Sequence, residues 1–137
     1  MAIKRIEALA DAIAFLNNAH DPKSDAFQLR NPGMFRVYSF KHLNSSDSQG
    51  RRIFTSLIGG YRFLIQDLEW KCSGETRAKG NNGKLKPTSN LADLLVAFKL
   101  NTEENMFALI DFLSQALCDE SINSQTEIGY FLKDSGE

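Results

Sequence analysis

One run of side chains narrows the choice of fold more than any other. Phe54, Ile58, Tyr61, Ile65, Leu68 and Cys72 recur at intervals of 4, 3, 4, 3 and 4 residues. That alternation keeps them on one face of an α-helix, and Ile53, Leu57 and Leu64 widen the stripe. A helix with so broad an apolar face is expected at the centre of a core. Its middle carries Gly59-Gly60, and each glycine costs about 1 kcal/mol relative to alanine in a helix interior. A neighbouring backbone packing close, or a bend in the helix, accounts for such a pair.

Shorter stretches of helical spacing surround this element. Residues 3–19 place Ile3, Ile6, Leu9, Ala10, Ile13 and Leu16 on one face, and Asn17-Asn18 and Asp21-Pro22 should end the helix. Residues 20–33 look irregular and close on Asn31-Pro32-Gly33. Towards the C-terminus, Thr88, Ser89 and Asn90 offer N-caps ahead of Leu91, Leu94, Leu95 and Phe98. Asn101 or Thr102 should cap a further helix striped by Met106, Ile110, Leu113 and Leu117, with Glu103 and Glu104 at its positive end. Ser124 and Glu127 have capping-box spacing before a short final helix at Ile128, Phe131 and Leu132.

Residues 34–41 suit either a short extended segment or a helix, and no second strand offers a partner. Residues 44–50 read as an exposed loop. Residues 73–87, with three glycines and no periodicity, read as a long, flexible, basic loop. The expected fold is therefore all-α: a single compact bundle of about five helices spanning 1–137. A length of 137 residues with 42% hydrophobic side chains suffices for one core without metal or disulfide staples.

The formal net charge of −1 conceals a segregation. Residues 1–29 carry −1, residues 30–87 carry +7 and residues 88–137 carry −7. Two arrangements accommodate this: the acidic helices pack beside the basic middle and cancel it, or the two fields stay open to partners.

Chemistry is harder to find. His20 and His42 are the only histidines, and neither lies beside a nucleophile in sequence. A catalytic set assembled from His20, His42, Asp67 and Cys72 would have to form in space. Cys72 and Cys118 lack the CxxC spacing and are expected as buried free thiols. Glu103-Glu104 and Asp119-Glu120 are adjacent pairs, which diverge on a helix and chelate poorly. Gly80, Gly83 and Lys84 miss the spacing of a phosphate-binding P-loop, with Leu85 where the hydroxyl belongs. No catalytic residue, cofactor or metal is expected.

The remaining candidates are surfaces. Arg51, Arg52, Trp70, Arg77, Lys79, Lys84 and Lys86 form a candidate face for a polar partner or nucleic acid, with cations to follow phosphates and an indole to stack on a base. A domain pI near 6.1 lies well below the basic footprint of most such proteins. Residues 1–7 mix charges, no signal-peptide pattern is visible, and the densest apolar run, residues 53–68, is interrupted by polar side chains. The sequence thus points to a cytoplasmic, non-catalytic helical domain without membrane contact. Its expected partner is a protein, with a homo-oligomer as one form and nucleic acid as the alternative.

Overall fold

The computed structural model describes residues 4–36, 46–74 and 84–133. Its helices are α1 (Arg5–Leu16), α2 (Asp25–Gln28), α3 (Leu57–Ser73), α4 (Leu91–Ala97) and α5 (Glu103–Leu117), followed by a terminal 3-10 helix (Ile128–Leu132). The described residues are 54% helical and contain no strand, so the fold is all-α. Arg77, Lys79, His42 and most of the expected loop lie outside the described residues.

The centre of the core belongs to α1 rather than α3. Ile6, Ala8, Leu9, Ala10, Ala12, Ile13 and Ala14 are all buried, which leaves little of this helix facing solvent. It packs against α5, α3 and the terminal 3-10 helix. Its four buried alanines explain how: a methyl side chain lets neighbouring helices come close on several faces, and alanine favours helix. Periodicity of large apolar side chains does not reveal such a helix, because its buried residues are small.

α3 is rotated relative to its sequence stripe. Its buried residues are Gly60, Leu64, Asp67, Leu68, Lys71 and Cys72, whereas Ile58 is 67% exposed and Tyr61 and Ile65 are half-buried. The helix also begins later than the stripe. Ser56 caps it, its hydroxyl accepting from the Gly59 amide at 3.0 Å, while Phe54 is buried in the extended approach. The two glycines have different reasons. A Cβ on Gly60 would stand 2.1 Å from the Arg30 carbonyl oxygen, so the backbone after α2 crosses α3 there. A Cβ on Gly59 would meet only the capping Ser56 hydroxyl, at 3.1 Å.

The helix ends follow local chemistry. Ser24 caps α2 within the stretch expected to be irregular, accepting from the Phe27 amide. Asn90 and Asp93 form a reciprocal capping box on α4, and Thr102 caps α5. The Ser124/Glu127 box does not form. Asn123 instead turns the chain by accepting from the Gln125 amide, and Glu127 precedes the 3-10 helix without a side-chain cap. Asn18, Arg30, Lys99 and Cys118 have φ between 51° and 59°. Each ends a helix with its successor's amide bonded five residues back, as in Ala19 to Ala14 and Leu100 to Leu95, the usual left-handed termination. Gly74, at φ 85°, ends α3 with its own amide on the Lys71 and Trp70 carbonyls.

Two irregular layers tie these helices together. Residues 29–36 lie beside 46–54 through the Arg36–Arg51 bridge and through the Arg52 and Phe54 amides, which donate to the Phe35 and Leu29 carbonyls, while Ser46 and Arg52 bridge within the second segment. Of the ambiguous stretch 34–41, Met34 is left-handed and Arg36 makes a bridge, and 37–41 lie outside the described residues. Asn31, fully buried, fixes this layer: its amide donates to the Phe35 and Arg52 carbonyls, and its oxygen accepts from the Phe35 amide. The second layer runs residues 124–129 against 87–92, with the Leu91 amide on Thr126 and the Ile128 amide on Ser89.

Candidate functional site

Charge inside the core builds the first feature. Asp67 and Lys71 stand one turn apart on α3, 0% and 2% exposed, and form an ion pair. The Lys71 ammonium also lies 4.8 Å from the Phe98 ring centroid and 5.7 Å from that of Phe35. Burial holds the Lys71 ammonium below the usual lysine range, with the Asp67 carboxylate opposing. Above it opens a cleft of about 70 Å³ lined by Gly33, Met34, Phe35, Arg36, Lys71, Ala97, Phe98 and Lys99. Met34, at φ 52°, is the one described non-glycine residue with positive φ that does not follow a helix. It closes the turn opened by Asn31, whose carbonyl accepts from the Met34 amide.

A second feature lies where the end of α1 meets α5. Phe15 is 45% exposed and Phe107 66%. Phe15 stacks on His20 at 5.2 Å and touches Phe112 at 5.5 Å. A groove of about 410 Å³ runs between them, lined by Phe15, Ala108, Asp111, Phe112, Gln115 and Ala116. α5 carries Glu103, Glu104 and Asp111 and no lysine or arginine, so this aromatic groove is acidic.

The third feature has the opposite sign. Phe27, Leu57 and Arg30 line a groove of about 300 Å³ beside the N-terminus of α3. Ile58, next to Leu57, and Arg62, one turn further along α3, are exposed.

The expected basic face is spread over different surroundings. Arg51 is paired with Asp25 and Asp47, each at 2.7 Å. The Arg52 guanidinium lies over the Phe54 and Phe63 rings, 4.5 and 5.0 Å from their centroids. Trp70 is half-buried on α3, and Lys84 and Lys86 are exposed. The catalytic set is not assembled among the described residues. Asp67 pairs with Lys71, His20 is exposed beside Phe15, and burial pushes the Cys72 thiol up to about 12. Cys118 departs from expectation: it is exposed, because it forms the left-handed cap of α5 rather than part of its buried face.

Ion pairing among the described residues joins the basic middle only to carboxylates in residues 1–87. The acidic C-terminal section is tied instead to α1. Arg5 lies 4.0 Å over the Tyr130 ring, and the Tyr130 hydroxyl donates to Asp119. Bonds from the Ser121 hydroxyl, Tyr130 and the Ser121 amide hold the Asp119 carboxyl down at about 2.

The stripe of large apolar side chains does not disclose the Asp67–Lys71 pair, because it says nothing of charged residues that share the buried face. The available signal was their i, i+4 spacing together with Leu64 and Leu68 on the same face. Compared with known proteins, the chain matches no family model, and neither a curated protein nor a solved structure matches it significantly. Among the described residues, no helix is long and apolar enough to cross a membrane.

Proposed function

We propose that the chain is a non-catalytic helical interaction domain, a single cytoplasmic bundle whose partner is a second copy of itself. The observation that carries this reading is a pair of exposed apolar grooves with opposite charge. One is lined by Phe15, Phe112 and Asp111, with exposed Phe107 one turn before Asp111 on α5; the other is lined by Phe27, Leu57 and Arg30, with exposed Ile58 and Arg62 following on α3. Apolar area supplies affinity, and complementary charge supplies register and a fast encounter.

Charge also selects the geometry. A two-fold pairing of the acidic groove with itself would set Glu104 and Asp111 against their own copies. Acidic groove on basic groove, head to tail, avoids that repulsion. The charge segregation then acts between molecules, in keeping with the lack of ion pairs across the basic and acidic sections among the described residues.

Nucleic acid is the less supported partner. Arg51 is held by two carboxylates and Arg52 by two rings, which leaves Lys84 and Lys86 as the exposed cations of that set among the described residues. Light scattering over a concentration series tests the proposal. The average mass should rise with concentration at low ionic strength and fall back in roughly 0.5 M salt, where the Debye length shrinks to a few ångströms. The mass of a single chain at every concentration and both salts would overturn it.

A further inference from the structure

The cleft above Lys71 belongs to neither groove and has its own chemistry. Three cations, Arg36, Lys71 and Lys99, line an opening of about 70 Å³, the scale of one small ion. Within or beneath it, Asp67 supplies the opposing carboxylate. Counting Asp67, the side chains leave +2. The C-terminal ends of α3 and α4 lie nearby, and each contributes about −0.5 charge at most. The balance stays positive.

The site is also built rather than incidental. Lys71, 2% exposed, lines the cleft from below between Phe35 and Phe98. Its rims are two residues in left-handed conformation, Met34 at φ 52° and Lys99 at φ 59°. Met34 is fixed by the Asn31 turn, and Lys99 by the termination of α4. Two separate loops therefore contribute a cationic residue each to the lining, Arg36 and Lys99, around a buried third. The Arg36 guanidinium donates one N–H to the Gln49 carbonyl at 2.7 Å, and a guanidinium carries five donors.

We propose that this cleft binds a phosphate-class oxyanion, with Arg36 and Lys99 gripping it from the rims and the Lys71 ammonium facing it from the floor. An ammonium has three donors, and the Lys71 ammonium donates to the Asp67 carboxylate. A tetrahedral oxyanion offers the acceptors that planar Phe35 and Phe98 rings cannot. Burial disfavours the charged form of Lys71, so an entering anion restores part of what desolvation takes away.

The test uses the full chain with two probes, inorganic phosphate and methyl phosphate, each against sodium chloride at equal ionic strength. Isothermal titration reads affinity, and the melting temperature reads stabilisation by mass action. Saturable binding of either probe, absent with chloride, is the expected result. Tighter binding of methyl phosphate identifies phosphomonoesters as the source, and tighter binding of inorganic phosphate identifies the free ion. Arg36→Gln combined with Lys99→Gln changes two exposed side chains and should weaken binding by roughly tenfold or more, since charge-assisted bonds are lost on both rims. Lys71→Met removes the floor cation and should abolish binding; circular dichroism checks that it folds. Phosphate behaving like chloride, or an unchanged affinity in the folded double variant, would overturn the proposal.

Discussion

Gly60 shows how a single hydrogen atom can decide a packing arrangement. Its missing side chain admits the Arg30 carbonyl, whereas Gly59 faces only the Ser56 cap. Gly60→Ala should destabilise by about 1–3 kcal/mol, because a backbone segment must move. Gly59→Ala should be close to neutral, since it gains about 1 kcal/mol of helix propensity against a small displacement of the Ser56 hydroxyl. Urea unfolding of the two variants separates these outcomes. Asp119 carries a pH prediction at the same scale. Its folded pKa, about 2, lies below its ordinary 3.8, so its contribution is present above pH 4 and disappears as pH falls through 2. The urea midpoint of the native chain should therefore drop more between pH 5 and pH 2 than that of Asp119→Asn. Equal drops would detach Asp119 from the acid response.

At the scale of elements, α3 carries the least expected feature, a charged pair turned inward. Lys71→Met or Asp67→Leu alone leaves one buried charge without this partner and should cost about 3–5 kcal/mol. The double change removes both charges and should cost far less than the sum of the two. Additive losses in a double-mutant cycle would show that the pair is not coupled. The same helix marks the limit of what its residues disclose. Its existence and glycine pair are legible from the sequence, but its start and its orientation are not. A stripe of large apolar residues competes with a face that also holds Asp67 and Lys71, and pairing in space decides between them. α1 conceals its central place for another reason: buried alanines carry little weight in a periodicity count. The caps on α4 and α5 stand among the candidates that the sequence offers, Asn90 beside Thr88 and Ser89 and Thr102 beside Asn101, because such caps act through hydrogen bonds over three residues. Arg51 and Arg52 look alike in sequence, yet one meets carboxylates and the other meets rings, which only tertiary contacts determine.

For the whole molecule, the near-zero net charge is a sum of sections that do not neutralise each other by ion pairing among the described residues. The acidic section reaches α1 through Tyr130 and Arg5, and the basic section pairs with Asp25, Asp47 and its own Asp67. Two exposed apolar grooves of opposite charge remain, and we propose that they meet between two copies. Mixing two variants tests this most directly. Phe107→Glu places a charge on the acidic aromatic face, and Arg62→Glu reverses the basic one; both side chains are exposed. Sedimentation velocity at low salt should find each variant weakly associated or monomeric alone. Their equimolar mixture should contain a dimer, since one copy keeps an intact basic groove and the other an intact acidic groove. A mixture that stays monomeric, or variants that associate alone as well as the native chain does, would contradict the head-to-tail account.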